Sequence, residues 1–420
     1  MSINDKQIPN LKRPVSSDPD VWIAYWRTVG QGWRTEPEID IERQKYLSKR
    51  LGIISNVEQR VFPFKDVKLC RADIEWFLAA HLDTYGAIHY VIGSPAQGID
   101  VRGADLRYTN LSRLPLTQLR GGLRSAEWFS STREQRDAAA VHLEGANLNR
   151  SDLTWATLRS AHLEGADLRY AHLEGAHLRS AHLEGDSVSL SAADLRNASF
   201  NQDTNLDGAI LGNKKSVFVR LADINWGGIN LALVEWAAIE MVGDEYEAHK
   251  MKTKDGQVKG KQRRLDEYKV AVRTNRQLAV VLQAQGLNEE AAYFAYRAHK
   301  LQRRTLLFQG KRFFGRYLFS AFLDLLAGYG YRPGRTLLWY LIVVFGFSIA
   351  YYSIESALKP RLTLIGALIF SITAFHGRGF FPGGFSYDDI VTVLASIEAV
   401  VGLLIELSFI ATFTQRFFGN

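Results

Sequence analysis

Residues 141–188 read VHLEGANLNRSDLTWATLRSAHLEGADLRYAHLEGAHLRSAHLEGDSV. Leu143, Leu148, Leu153, Leu158, Leu163, Leu168, Leu173, Leu178, Leu183 and Val188 are spaced five apart without a break. Two residues before most of them stands a small residue: Ala146, Ser151, Ala156, Ala161, Ala166, Ala171, Ala176 and Ala181. A period of five matches neither the helical 3.6 nor the strand 2.0. A short fixed period marks a solenoid in which each unit buries its face only against its neighbours.

Weaker copies flank the block: GADLRYTNL at 103–111, ADLRNASF at 193–200 and DGAIL at 207–211. The stretch RSAEWFSSTREQRDAAA at 124–140 interrupts the period and is expected to loop out. The pattern strongly resembles the pentapeptide-repeat family, A(D/N)LXX. That resemblance implies a right-handed quadrilateral β-helix over 101–236, with four repeats per coil and the Leu and the small residue pointing inward. Residues 20 apart would then stack on one face. His142, His162 and His182 would form a column beside Glu144, Glu164 and Glu184, and Arg159 would stack on Arg179. The histidine column is open to three readings: a proton sensor, a metal site, or a solvated face copied by repeat duplication. Some members of the family mimic nucleic acid through an acidic surface. The mixed His, Glu and Arg columns do not support that here, and no nucleic-acid partner is expected.

Apolar sequence is concentrated at the other end of the chain. Residues 336–354 carry no charge, and 390–414 form a second apolar stretch. Each is about the length that crosses ~30 Å of hydrocarbon. Trp339, Tyr340, Tyr351 and Tyr352 read as an aromatic belt at the ends of the first. Between the two lies RLTLIGALIFSITAFHGRGFFPGGF, 361–385, whose apolar part at 362–375 is too short to cross. Non-helical backbone at membrane depth is tolerated only where protein buries it or water lines it. A re-entrant pore loop meets that condition, and other subunits must then complete the enclosure.

This order resembles the two-span potassium-channel family, which assembles as a tetramer. The family's TVGYG filter aligns on Phe375-His376-Gly377-Arg378-Gly379. The filter region by this resemblance is Thr373, Ala374, Phe375, His376, Gly377, Arg378, Gly379 and Phe380. The two glycines are kept, which lets carbonyls turn toward an axis. The threonine, valine and tyrosine are not, so potassium selectivity does not follow. Arg378 either sits behind the filter with a counter-charge or faces the axis, where four copies would favour anions. Glu398 is the expected partner of Arg378 or His376, and Glu406 is expected to line an inner cavity. Gly402 is either a hinge or a close-packing glycine.

The whole chain has 420 residues, a net charge of +7 from 51 Lys+Arg against 44 Asp+Glu, and one cysteine, Cys70. One cysteine excludes an internal disulfide and fits a reducing compartment. The N-terminus has no apolar core, so no cleavable signal peptide is expected. Basic residues crowd before the first apolar stretch, from Lys300 to Arg335, and are fewer between the two. The positive-inside rule then puts both termini in the cytoplasm of a multi-pass protein of the inner (plasma) membrane.

Four regions are expected. Residues 1–100 form a mixed N-terminal domain with helices at Ile39–Ile53 and Arg71–Leu82. Residues 101–236 are the repeats. Residues 237–312 hold a charged linker at 248–264 and a tetratricopeptide-like helical hairpin, Asp266–Gln285 and Glu289–Leu307. Residues 313–420 hold an interfacial helix, which the basic-ended stretch 311–335 carries across the boundary, and the two-span pore module. No nucleophile–base pair, phosphate loop or metal-ligand spacing marks an enzyme. The expected function is a homotetrameric cation channel gated by its cytoplasmic region. The expected partners are the lipid bilayer, a permeant monovalent or divalent cation and an unknown cytoplasmic ligand or protein, with no bound cofactor. The alternatives are a membrane-anchored scaffold and an anion pore.

Overall fold

In the computed structural model, the described residues are 13–16, 18–85, 98–185, 188–213, 217–253, 255–355, 363–377 and 390–417. The chain divides into two compact units: 1–259 with 280–290, and 260–279 with 291–420.

The first unit is built on the repeats. His142 pairs with His162 and His162 with His182 in parallel backbone bridges. Three further bridge columns run alongside, through Asn147–Asp167, Asp152–His172 and Thr157–His177. Each coil therefore meets the next at four places, and its amides donate to carbonyls one coil on, as Leu163 N does to His182 O at 2.8 Å. The leucines and the small residues two positions earlier are fully buried from Val141 to Leu183. Every five residues the backbone turns a corner through a left-handed residue, such as Arg150, Trp155, Ser160 and Gly165. Left-handed backbone is awkward for side chains and free for glycine. Gly175 shows a second reason for glycine: a Cβ there would lie 2.5 Å from the Trp155 ring of the preceding coil.

Before the unbroken block the register jumps. Asp105 pairs with His142, 37 positions on, and the excess over one 20-residue coil is the inserted 124–140. That insertion is not a bare loop. It forms two short helices, Ser125–Ser130 and Arg133–Ala139, and packs Trp128 and Ala139 on Phe62 and Leu123. Residues expected to be a separate N-terminal domain share this unit, with Lys68 bridging to Asp105. Their helices run Pro19–Thr28, Ile41–Leu51 and Arg71–Tyr85, the first two capped by the Asp18 and Asp40 carboxylates. Arg71 holds the edge of the repeats by donating to Asn110 O and Ser112 O while paired with buried Glu75. The described residues of the charged 248–264 stretch are largely exposed, as expected of a solvated linker, with some local order within it. Lys252 and Val258 pair antiparallel, and the fully buried Lys259 ammonium donates to Glu247 O at 2.7 Å and Glu247 Oε1 at 3.0 Å.

The hairpin helices are Lys261–Ala284 and Asn288–Gln309. Their tip belongs to the first unit. There the Gln285 side chain accepts from Leu231 N and donates to Ile229 O. The remainder belongs to the second unit, where Tyr268 stacks on Phe308. The second unit continues with an amphipathic helix, Phe314–Ala327, ended by left-handed Gly328 and Tyr329. Its outer face exposes Phe314, Leu318, Phe319, Phe322 and Leu325. Two helices, Pro333–Ile354 and Ile390–Thr414, are long and apolar enough to cross a membrane. Of the most apolar 18-residue window in each, only 17% and 28% is buried. Between them Leu364–Phe375 forms a short apolar helix, capped by the Thr363 hydroxyl.

Candidate functional site

The three apolar helices pack around two small cores. Tyr351, Ala367, Phe370, Ala374, Val391 and Ala395 form one, and Leu326, Val344, Phe375 and Ile405 the other. Small residues on the short helix let all three approach closely. Gly402 takes this furthest. A Cβ on it would stand 2.1 Å from Phe375 O, so the second long helix touches the backbone at the end of the short one. Gly402 is thus a close-packing glycine in this arrangement.

The two glutamates of the second long apolar helix have different partners. Glu398 is fully buried and accepts from Tyr351 Oη at 2.7 Å, and Ser371 Oγ lies 2.5 Å from its other oxygen. Among the described residues Glu398 does not meet His376, one of its two expected partners; the other, Arg378, lies outside the described residues. Tyr351, expected in an aromatic belt, is fully buried as its hydrogen-bond partner, while Tyr352 is exposed. His376 instead pairs through Nδ1 with Glu406. That pair is open, with side chains 41% and 37% exposed. It sits where the short helix ends and the chain turns through left-handed Gly377 (φ 66°). Phe375 is buried edge-on against Tyr340, and Ala374 is buried in the core. Thr373 bonds back to Phe370 O at 2.8 Å. Arg378, Gly379 and Phe380 lie outside the described residues.

Sequence reading missed one cluster altogether. Asp324, on the amphipathic helix, accepts from Tyr296 Oη at 2.9 Å and pairs with Arg303 at 2.9 Å and Arg335 at 3.4 Å. Tyr296 and Arg303 belong to the hairpin's second helix, and Arg335 opens the first apolar helix. Asp324 thus ties the hairpin to the membrane-length helices through one carboxylate. Burial, and then its bond to Asp324, push the Tyr296 phenol up. Asp324→Ala leaves two guanidiniums without their common carboxylate. Removing one partner of a buried ion pair costs ~3–5 kcal/mol, and the few tens of per cent of exposure here place the loss toward the lower end. Thermal melting in detergent checks this, against Asp266→Ala, an exposed site that should not shift the melt.

On the repeats, the columns fall where the 20-residue spacing puts them. His142, His162 and His182 stack with ring centroids 4.7 and 4.9 Å apart and planes within 4°. Each Nδ1 lies 3.0–3.2 Å from Oε1 of the glutamate two residues on. On another face Arg159 is buried, donating to Leu123 O and Ser125 Oγ. Next to it His177 is held down to about 4, by burial first and then by Arg159 and Arg179. Its folded value lies below the ordinary 6.5, so the unfolded chain takes up the proton first as pH falls. His177 therefore costs stability progressively from pH 6.5 toward pH 4. Melting followed across that range should fall less steeply for His177→Gln than for the wild type.

Residues 140–185 match the family model for pentapeptide repeats, in eight copies. The repeat block is therefore a pentapeptide-repeat region; the match stops well short of the apolar helices. None of the curated proteins matches the sequence. Among solved structures, the chain is similar to Rfr23, a pentapeptide repeat protein from the cyanobacterium Cyanothece 51142. Identity is 27% over 30% of this chain and 86% of that one, with a TM-score of 0.20. It is also similar to a pentapeptide repeat protein from the Arabidopsis thaliana thylakoid lumen, at 19% identity over 38% and 83%, with a TM-score of 0.20.

Proposed function

We propose that this chain is one subunit of a homotetrameric, cation-conducting membrane channel whose sensing or gating region is the pentapeptide-repeat unit. The observation that carries this reading is the His376–Glu406 pair. Both side chains are about two-fifths exposed at the end of the short helix, among outward residues that are otherwise apolar, such as Ile369, Leu403 and Ile410. An ionisable pair costs several kcal/mol against hydrocarbon, roughly 2.5–3.5 per charge on insertion scales, unless it meets water or another subunit. Fourfold repetition around an axis would give it both. Four copies of Glu406 would concentrate cations there. The Glu398–Tyr351–Ser371 cluster serves as the buried brace of the short helix, and the Asp324 cluster as the link from the hairpin to the first span. In this reading the repeats form the right-handed quadrilateral β-helix, both termini are cytoplasmic, and Phe314–Ala327 lies along the headgroups.

Liposomes containing the purified protein test this, with potassium, sodium, calcium and chloride fluxes measured separately. Cation flux that falls on Glu406→Gln is the expected result. Chloride flux alone would assign an anion pore. No flux in any condition, with the tetramer intact, would leave a membrane-anchored repeat scaffold.

A further inference from the structure

The histidine column carries an inference that is independent of conduction. Three imidazoles stand in register on successive coils, 4.7 and 4.9 Å apart and nearly parallel. Each offers Nδ1 to its own glutamate at 3.0, 3.0 and 3.2 Å. A carboxylate accepts, so Nδ1 carries the hydrogen and the lone pair is left on Nε2. This is the arrangement by which metal-binding histidines are oriented: one ring nitrogen donates to a carboxylate while the other faces the ion. The rings are open enough to be reached, with 38%, 29% and 40% of each side chain exposed.

Charge points the same way. Glu144, Glu164 and Glu184 each keep a second oxygen, Oε2, that is buried and has no hydrogen-bond partner. Among the described residues, each of these carboxylates forms an ion pair only with its imidazole. Three carboxylates stacked one strand spacing apart, ~4.8 Å, repel one another when the imidazoles are neutral. A divalent ion relieves that repulsion, and imidazole nitrogen selects a borderline transition ion over calcium or magnesium. We propose that this column is a binding site for a first-row divalent transition-metal ion of the zinc class. Two neighbouring imidazoles ligate it through Nε2, and the glutamates orient and neutralise from behind.

Geometry fixes the stoichiometry. Ligands about 2.1 Å from one ion cannot be 4.8 Å apart, so two adjacent rings must tip their outer edges together. Rotation about the side-chain bonds of half-exposed residues permits that. Each Nε2 has a single lone pair, so His162 can serve His142 or His182 but not both at once. One ion per chain follows. His162 belongs to both possible pairs, while His142 and His182 are each dispensable.

Isothermal titration of zinc chloride into tag-free, metal-stripped, full-length protein in detergent tests the site. The wild type should bind about one zinc per chain at the column. His162→Asn should weaken that binding at least tenfold, whereas His142→Asn should leave it within a few-fold. Gln at 144, 164 and 184 together should weaken it by roughly 10–100-fold, the range for removing orienting partners. Unchanged melting temperatures and circular dichroism establish that the variants are folded. Absence of zinc binding in the wild type, or equal binding by wild type and His162→Asn, overturns the proposal. So does a loss in His142→Asn as large as that in His162→Asn, because a shared central ligand would then not exist. None of these outcomes depends on ion flux.

Discussion

Replacing Gly402 with alanine is expected to dismantle the packing of the three apolar helices, the largest effect of any single methyl in the second unit. The added Cβ would stand 2.1 Å from Phe375 O and 2.9 Å from the Phe375 carbonyl carbon. These are backbone atoms, so no side-chain rotation relieves the overlap. Either the second long helix moves away or the end of the short helix shifts, and both disturb the His376–Glu406 pair one residue beyond. Overpacking of a close-packed interior costs ~1–3 kcal/mol and more where backbone must move. The expected result is loss of the proposed tetramer on size-exclusion chromatography, with any flux reduced at least tenfold. Leu403→Ala, at a neighbouring exposed position, should assemble normally. The measurement also separates the two sequence readings of this glycine. A hinge would keep the assembly and change only opening, so an intact oligomer for Gly402→Ala would return the hinge reading.

The second large effect is expected in the repeats. Leu163 is fully buried between coils, with Leu143 one coil before and Leu183 one coil after, all without exposure. Truncation to alanine removes the filler of a dry interior. Core Leu→Ala changes cost ~2–5 kcal/mol, rising with the cavity left behind. In a solenoid each coil is stabilised by its own packing and by its two neighbours, so the loss is local in position. Hydrogen exchange should therefore rise for the amides of 141–185 first, while the hairpin helices keep their protection. Arg169→Ala is the contrasting change. Its guanidinium pairs with Asp167 at 2.6 Å but is half exposed, and surface pairs of that kind contribute ~0–1 kcal/mol. Equal destabilisation by the two substitutions would contradict the buried-leucine account of the fold.

Much of this structure can be read from residues because the relevant signals are periodic or long. A leucine every fifth residue marks the repeat, and the bridges His142–His162–His182 are those implied by the resemblance to pentapeptide repeats with four repeats per coil. The interruption at 124–140 also shows in the sequence as a break in period. Its folding into two capped helices against Phe62 does not, because Phe62 is distant in sequence. The same holds for Asp324. An aspartate within an apolar amphipathic helix is visible, but its partners Tyr296, Arg303 and Arg335 come from two other helices.

Glu398 and Glu406 mark the boundary most clearly. The sequence alone determines that two carboxylates lie in one membrane-length helix and that each requires a partner or water. It also determines the repeat period, the two long apolar helices and the short one between them. Eight residues apart at 100° per residue, the two glutamates lie about 80° apart around the helix axis. Either could face a given neighbour, depending on how the helix is rotated. Only the tertiary structure chose that rotation. Gly402 against Phe375 O turns Glu398 toward Tyr351 and Ser371 and leaves Glu406 beside His376 at the open end of the short helix.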